Sequence, residues 1–426
     1  MTFMAKGLTE MTVADVSRPA NVPADRVVDF DLYHPPGLEK GFHEAWAQLQ
    51  AGDLPDLVWT PHNEGHWIAT RGRALAEIFA GHERFSARAY VVPKSVGLQH
   101  QMLPVFLDPP YNQPYRDMLT RILTPRRVND MQETIRACAT SLIDAVIADG
   151  QCDFITSYAE QLPVRIFMEL VDLPLVDLPQ LKTWTDYTVH IGGAMNYEQA
   201  KQAIYDYLDP HIDARIGTDR QDMLSLIVNS TVNDRSLTRP EMLNLCMQVL
   251  LGGLDTVVNF LGFAMTFLAQ SPAHRQSLVA DPGLIPAAVD ELLRRFPVVS
   301  LAREVKEDLV YDGVQLRKGD MIALPSPLAG TDDRYNSDAH TVDFHRRSGQ
   351  HVTFGKGPHF CLGAYLARVE VRITLEQWLS RIPEFTIKPG TRLGFRGGLV
   401  GAVNALPLVW GDARLHDDQS RQQTRF

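Results

Sequence analysis

The sequence predicts a mainly α-helical chain with small β-sheets, an α+β fold class. Between about residues 128 and 229, apolar residues recur at the spacing of amphipathic helices. The recurring residues include Ile135, Ala139, Leu142, Ile143 and Val146. By contrast, β-type runs on either side of turn residues predict two hairpins, one over residues 57–70 and one over residues 314–325.

Composition and charge limit the classes of protein that this chain can be. Hydrophobic residues make up 45% of the sequence and charged residues 22%, which is typical of a globular protein and not of a disordered one. The net charge of −10, from 41 basic and 51 acidic residues, gives no general attraction for nucleic acid or for an anionic membrane. The four cysteines show neither zinc spacing nor a disulfide framework, so we expect a cytoplasmic protein.

Two segments bear on membrane association. Residues 1–23 contain no apolar stretch of the signal-peptide type, so neither a secretory signal nor an anchor is expected. Residues 249–269 are long and mostly apolar, but Asp255, Asn259 and two adjacent glycines interrupt them, which is costly at bilayer depth. We therefore predict a buried core helix for this stretch and no membrane partner.

The first hundred residues are expected to be mixed in structure. Residues 1–40 are polar and rich in proline, which indicates an irregular arm, and residues 41–50 have helical spacing. After the hairpin over residues 57–70, residues 87–106 show no clear period and are broken by prolines and a glycine. A long aperiodic stretch inside a compact domain is more often a binding loop or lid than a disordered segment.

The stretch that indicates chemistry most directly is Phe-Gly-Lys-Gly-Pro-His-Phe-Cys-Leu-Gly-Ala, residues 354–364. Cys361 ends a glycine-rich loop and opens a helix, where backbone N–H groups and the helix dipole favour a thiolate over a thiol. Such a thiolate could bind a metal, although a lone cysteine is more often buried and unreactive. The loop glycines would leave room for a flat macrocycle. They are Gly355, Gly357 and Gly363.

A second unusual stretch lies inside a predicted helix. Thr238 and Glu241 form a capping box that starts it. Gly252 and Gly253 lie in its middle, where each costs about 1 kcal/mol relative to alanine. The reason could be close helix packing, or it could be room for a diatomic ligand above the flat macrocycle. Thr256 is expected to bond back to the Gly252 carbonyl and loosen the helix.

Four motifs in this chain resemble those of the cytochrome P450 monooxygenases. The loop matches the family pattern Phe-x-x-Gly-x-x-x-Cys-x-Gly at Phe354, Gly357, Cys361 and Gly363. Residues 108–116 match Asp-Pro-Pro-x-His-x-x-x-Arg, except that asparagine replaces the histidine. Gly-Gly-x-Asp-Thr at 252–256 and Glu-x-x-Arg at 291–294 follow in the family's order. The resemblance extends over nearly the whole chain.

The resemblance implies the cytochrome P450 fold, a triangular prism of helices. In this fold haem b lies between the long central helix and the helix that follows the cysteine loop. The resemblance also implies one domain over residues 1–426, with flexible ends. Its expected parts are β-rich at about 40–110, a helical core at about 111–300, and a cysteine-loop and C-terminal part at about 301–412.

The same resemblance implies which residues hold the haem. Cys361 is expected to be the axial thiolate ligand of the iron, onto which it would push electron density. Arg116, Arg303 and His359 are expected to bind the propionates, with Asn112 as a weaker donor. The other residues expected at the haem are Gly252, Gly253, Phe354 and Gly363.

Two further groups of residues receive roles by resemblance. Asp255 and Thr256 resemble the family's acid-alcohol pair, in which a carboxylate feeds protons to a hydroxyl near dioxygen. Glu291 and Arg294, three apart on a helix, would ordinarily form a solvated pair that contributes a few tenths of a kcal/mol. The family buries this pair and completes it with a later arginine, here Arg346, so we expect a folding role.

Within the family, the chain is most similar to the bacterial camphor-hydroxylase-like type. The residues expected to line the substrate pocket are Val91, His100, Met102, Gln248, Leu251, Val299, Leu399 and Val400. His100 stands where the camphor enzyme has a ketone-binding tyrosine, and His190 stands where it has an arginine. We expect a small terpenoid or norisoprenoid ketone as substrate, with His100 or Gln248 near its oxygen. The alternative for His100 is a loop histidine turned to solvent.

The resemblance implies external electron donors. They would be an acidic two-iron ferredoxin and the flavoprotein reductase that reduces it, together with dioxygen as co-substrate. Arg116, Lys356 and Arg368 are expected to form a basic docking patch, and the protein is expected to be a monomer. Two alternatives remain open, a peroxygenase driven by hydrogen peroxide and a haem sensor without oxygenase activity.

Overall fold

The computed structural model describes residues 15–189, 194–347 and 349–411. Its α-helices are α1 (Phe42–Ala47), α2 (Gly72–Ala80), α3 (Lys94–Gly97), α4 (Gln113–Ile122), α5 (Pro125–Asp130), α6 (Gln132–Ile147), α7 (Leu162–Val171), α8 (Leu178–Val189), α9 (Tyr197–Asp213), α10 (Met223–Val228), α11 (Arg239–Leu254), α12 (Thr256–Gln270), α13 (Pro272–Ala280), α14 (Ile285–Arg295), α15 (Pro327–Gly330) and α16 (Ala364–Arg381). Its strands are β1 (Leu57–Thr60), β2 (His66–Ala69), β3 (Phe85–Ser86), β4 (Gln151–Asp153), β5 (Thr231–Val232), β6 (Arg235–Ser236), β7 (Ser300–Val305), β8 (Leu309–Tyr311), β9 (Val314–Leu316), β10 (Met321–Pro325), β11 (Thr386–Ile387), β12 (Phe395–Arg396), β13 (Ala402–Val403) and β14 (Pro407–Val409). Helices dominate and the sheets are small, as the sequence predicts.

The first predicted hairpin is confirmed. Strands β1 and β2 pair antiparallel, with Leu57 opposite Ala69 and Thr60 opposite His66. Both strands are fully buried, because they belong to a five-stranded sheet of order β1-β2-β10-β7-β3. This sheet joins the start of the chain to the segment just before the cysteine loop.

The second predicted hairpin is wrong in its pairing. Strand β9 pairs with β8, across a turn at Asp312 and Gly313 that have φ values of 48° and 73°. Two positive φ values in a two-residue turn match the twist of a hairpin. Strand β10 instead pairs with β7 and β2, because all five of its residues are buried and require neighbours on both sides.

The long central helix is interrupted where the sequence places its unusual residues. Its start is confirmed, since Thr238 and Glu241 form the capping box. Helix α11 ends at Leu254 and α12 begins at Thr256, and Asp255 between them has φ −127° and ψ −43°. At this break the Asp255 carbonyl accepts a hydrogen bond from Asn259 Nδ2 at 2.9 Å.

The central helices lie inside the molecule. Among the described residues, one helical stretch, Arg239–Gln270, is long and apolar enough to cross a membrane by length and composition alone. Most of its apolar window is nevertheless buried by protein. Helix α11 contacts α7 and α9, and α12 contacts β11 and β13. The predicted core helix at residues 249–269 therefore agrees with the structure.

Candidate active site

The cysteine loop depends on glycine at several points. Gly357 has a φ of +70°, and a Cβ there would lie 2.8 Å from the Cα of Ala80 at the end of α2. Both the conformation and the contact exclude a side chain. The Cys361 N–H donates to the Phe354 carbonyl at 2.9 Å, which closes the loop. A Cβ on Gly363 would lie 3.8 Å from Cys361 Sγ, so this glycine keeps space beside the sulfur.

The protonation of Cys361 is set by opposing influences. The residue has accessible surface, yet protein atoms surround its thiol, and this burial is the largest influence and raises its pKa. The N–H groups of Gly363 and Ala364 and the charge of Arg116 lower that pKa but do not outweigh burial. The N–H groups of the loop thus act in the predicted direction, towards a thiolate, but burial outweighs them. A bound metal cation would deprotonate the thiol outright.

Hydrogen-bond donors suited to an anion gather on one side of this loop. Both ring nitrogens of the half-buried His359 are shielded from solvent, and neither has a hydrogen-bond partner among the described residues. Burial, and then the charges of Arg303 and Arg116, lower the pKa of His359 to about 3, so this ring is neutral and has one N–H to donate. Burial also lowers the pKa of Arg303 to about 10. Donors held in this way without an anionic partner fit the propionates of a haem.

Helix α4 holds the other side of the loop. Arg116 donates from Nη2 to the Phe360 carbonyl at 2.6 Å. Burial lowers the pKa of Arg116, and the Cys361 sulfur opposes this by favouring the charged guanidinium. Asn112, the residue just before α4, donates from Nδ2 to the Pro358 carbonyl at 3.4 Å. Its buried Oδ1 has no hydrogen-bond partner among the described residues. Both residues thus brace the loop from the position that the family motif predicts.

The two adjacent glycines of α11 have different surroundings. A Cβ on Gly253 would lie 2.2 Å from the ring of Phe167 in α7, so this glycine is required for helix packing. At Gly252, no atom of the described residues lies within 4 Å of such a Cβ. Making room at the haem therefore remains a prediction for Gly252. For Gly253 the alternative, close helix packing, is the reason for the glycine.

Asp255 is held through only one of its carboxylate oxygens. Asn259 donates from Nδ2 to Asp255 Oδ1 at 2.7 Å. The buried Oδ2 atom has no hydrogen-bond partner among the described residues. The predicted bond from Thr256 to the Gly252 carbonyl is not found in the described part of the chain, because the helix already breaks at Asp255. Thr256 instead begins α12, next to the carboxylate.

His100 faces protein and not solvent. Only 8% of its surface is exposed, and its ring stacks on Tyr197 with centroids 4.2 Å apart. The ring of Tyr90 lies 6.4 Å away on centroids. Burial lowers the pKa of His100 to about 4, so the imidazole is neutral at physiological pH. The alternative of a solvent-turned loop histidine is excluded.

The other predicted pocket residues are distributed over four segments. Met102 is buried, and its sulfur accepts a hydrogen bond from the Tyr197 hydroxyl at 3.6 Å. Val299 and Val400 form an isolated antiparallel bridge that brings the C-terminal loop beside β7. Val91 is buried, while Gln248, Leu251 and Leu399 are partly buried. His190 lies outside the described residues.

The Glu291 carboxylate lies between two arginines. Arg294 donates from Nε and Nη2 to its two oxygens at 2.7 and 2.8 Å, and Arg346 donates from Nε at 3.1 and 3.2 Å. Glu291 and Arg294 are almost fully buried. The remaining guanidinium N–H groups bind main-chain carbonyls. These belong to Ser337, Asp338, Ala339, Thr341 and Gly330. This cluster, which we call the Glu291 cluster, organises the segment before the cysteine loop.

Sequence reasoning missed the partners that complete the site. Tyr197 stacks on His100, Asn259 anchors Asp255, and Phe167 fills the space at Gly253. Asn259 was recognisable from its helical spacing of four residues after Asp255. Tyr197 and Phe167 lie 97 and 86 residues from their partners, so no local pattern indicates them.

Comparison with protein families gives a single family. The family model described as cytochrome P450 matches residues 111–392. A probable cytochrome P450 127A1 of Sinorhizobium fredii is 31% identical over 92% of this chain and 96% of its own length. The mycinamicin IV hydroxylase/epoxidase of Micromonospora griseorubida is 30% identical over 86% of this chain and 94% of its own length.

Solved structures agree with these sequence relatives. CYP101J2 is 43% identical, with a TM-score of 0.87, and the match covers 93% of this chain and 100% of that chain. CYP101C1 is 40% identical, with a TM-score of 0.86 and the same two coverages. The residues that the family model matches include Asp255, Glu291 and Cys361.

Proposed function

The chain belongs to the cytochrome P450 family, and we propose that it hydroxylates a small terpenoid or norisoprenoid ketone with electrons from a ferredoxin. As a P450 of the camphor-hydroxylase-like type it is a monooxygenase with haem b as its cofactor. When bound, the haem supplies oxygen activation and insertion into a C–H bond. The protein supplies binding, orientation and protons.

The proposed haem contacts follow from the unpaired donors. Cys361 Sγ would bind the haem iron. Arg303 and His359 would donate to the propionates from the buried side, and Arg116 from the side of α4. His359 supports this role most directly, since a buried imidazole without a hydrogen-bond partner in the described structure costs free energy that a carboxylate would recover.

Proton delivery is proposed for Asp255 and Thr256. Asp255 Oδ2 can carry a proton because no hydrogen bond in the described structure occupies it, while Asn259 holds Oδ1 in place. The hydroxyl of Thr256, the next residue, would pass that proton towards the open space at Gly252. A retained acid-alcohol pair favours an oxygenase that consumes dioxygen over one driven by peroxide, which brings its own protons.

The substrate class is proposed from His100. A neutral, buried imidazole flanked by Tyr90 and Tyr197 can donate one hydrogen bond to a carbonyl without the desolvation cost of a charge. The remaining expected pocket residues are mostly apolar, apart from Gln248. A compact apolar molecule with a single carbonyl oxygen suits such a pocket.

The redox partner is proposed from surface charge, and the cellular location from the spacing of the cysteines. Arg116, Lys356 and Arg368 would form the docking patch for an acidic two-iron ferredoxin reduced by a flavoprotein. Arg368 already pairs with Asp290 at 2.8 Å, so part of its charge is balanced within the chain. The four cysteines show no disulfide spacing, which supports a cytoplasmic location.

The spectrum of the reduced protein with carbon monoxide tests the haem-thiolate assignment. We expect the strongly red-shifted Soret band of a thiolate-ligated haem, and its loss in Cys361→Ser. The matched control is Cys152→Ser, a half-buried cysteine in β4, which should keep the band. A band at the histidine-ligated position in the unaltered protein would contradict the assignment and favour a haem sensor.

A ligand panel tests the substrate class. Terpenoid and norisoprenoid ketones should shift the haem iron from low to high spin at lower concentration than hydrocarbons of the same skeleton. His100→Phe should remove this preference, a loss of roughly three- to tenfold, the value of one net hydrogen bond. Equal affinity for ketone and hydrocarbon in the unaltered protein would exclude the proposed class.

A further inference from the structure

The segment that carries His100 and Met102 is held by one side chain of the central helix. Asn244 in α11 accepts the Leu103 N–H at Oδ1, at 2.6 Å. From Nδ2 it donates to the Gln101 carbonyl at 2.9 Å. One amide group thus binds the main chain on both sides of Met102, as a neighbouring β-strand would.

We propose that Asn244 is a positioning residue that fixes the pocket segment 100–103 relative to the oxygen-binding part of α11. We call this pair of hydrogen bonds the clamp. Its purpose in substrate positioning rests on the proposed function, whereas the two hydrogen bonds themselves do not. No motif indicates Asn244, since its partners lie about 140 residues away in sequence.

Helix α11 connects Asn244 to the proposed oxygen-binding residues. Asn244 precedes Gly252 by eight residues, which is about 12 Å along a helix. A rigid helix therefore joins the clamp to Gly252 and to Asp255 beyond it. Any movement of residues 101–103 away from Asn244 changes the distance between His100 and the place where oxygen reacts.

Helix α9 reinforces the same segment without replacing the clamp. Tyr197 stacks on His100 and donates to the Met102 sulfur, which are contacts between side chains. Asn244 alone among these residues binds the main chain of the segment. Tyr205 of α9 accepts a further bond from Asn244 Nδ2 at 3.3 Å, so the amide has a fixed orientation.

Removal of the clamp should be visible in amide exchange before any substrate is added. In Asn244→Ala, loss of two hydrogen bonds should raise hydrogen exchange over residues 101–106 by about tenfold or more. Exchange in α16 should not change. Tyr205→Phe is the matched control, because it removes the third partner of the amide and keeps both bonds to the segment; its exchange should equal that of the unaltered protein.

Ligand kinetics provide the functional readout, with camphor and 4-phenylimidazole as probes of the haem pocket. Faster dissociation of both probes from Asn244→Ala, by a similar factor, is expected. If this variant does not fold, Asn244→Asp serves instead, since it keeps the acceptor for Leu103 N–H and loses the donor to Gln101. Unchanged exchange and unchanged dissociation in whichever variant folds would overturn the proposal. A failed carbon monoxide test would overturn the proposed function but leave the exchange result valid.

Discussion

At the scale of single residues, the two oxygens of the Asp255 carboxylate are not equivalent. Oδ1 accepts a hydrogen bond from Asn259, and Oδ2 is buried without a partner in the described structure. A buried acceptor without a partner is costly, so its retention has to be offset by another benefit. The proposed proton transfer to Thr256 would provide that benefit.

Asp255→Asn should reduce product formation by roughly a hundredfold, because the amide cannot exchange a proton with the threonine hydroxyl. Substrate binding should change little, since Asp255 is not a proposed pocket residue. The measurement is product formed per electron consumed, alongside the substrate-induced spin shift.

Asn259→Ala provides the comparison. It frees Oδ1 but leaves the carboxylate in place, so a smaller loss of product is expected, together with an altered pH profile. Full product formation in Asp255→Asn would contradict the assigned proton path.

At the scale of an element, α11 combines two glycines with opposite requirements. The ring of Phe167 occupies the space that a side chain at residue 253 would need, whereas Gly252 faces open space. The same dipeptide therefore serves helix packing at one residue and leaves open space at the other, where we propose that oxygen binds. The sequence alone does not tell which of the two glycines is needed for packing and which for open space.

The matched pair Gly252→Ala and Gly253→Ala should separate these roles. Gly253→Ala should lower the free energy of unfolding by about 1–3 kcal/mol through overpacking. Gly252→Ala should raise it by up to about 1 kcal/mol through helix propensity, while weakening carbon monoxide binding. Urea unfolding and carbon monoxide titration give both values, and the reverse order of stability would contradict the packing assignment.

At the scale of the whole molecule, several histidines are buried in neutral form in separate parts of the fold. Burial lowers the pKa of His43 in α1 to about 3. Burial likewise lowers the pKa of His66 in β2 and of His351 to about 4. Burial has the opposite effect on Glu370 in α16, whose pKa it raises to about 8.

These shifts predict a stability maximum between mildly acidic and neutral pH. Each histidine has a folded pKa below its unfolded value, so its contribution is complete above about pH 6.5 and is lost as the pH falls towards 4. At pH 5 the loss is about 2 kcal/mol for each histidine. Glu370 has a raised folded pKa, so its contribution declines as the pH rises from about 4.5 to 8.

Urea unfolding at pH 5, 6.5 and 8 checks this prediction. His43→Gln should reduce the slope between pH 6.5 and 5, because one proton fewer is taken up on unfolding. An equal slope in that variant would show that His43 is not among the groups responsible.

How far the sequence predicts this molecule depends on the distance between partners. The cysteine loop, the capping box at Thr238 and the first hairpin are local patterns, and each was identified within a dozen residues. The pairing of β10 with β7, the contact of Gly253 with Phe167 and the stacking of His100 on Tyr197 join distant segments. Such contacts are decided by the packing of the whole core, which a single sequence does not display.

The Glu291 cluster has a consequence for how this protein can change in evolution. Its two arginines hold residues 330–341 through carbonyl oxygens, which every amino acid possesses. Exposed side chains along that segment, such as those of Ser337 and His340, can therefore change while the chain keeps its path to Cys361. Sequence change at these exposed positions therefore leaves the path of the chain towards the cysteine loop unaltered.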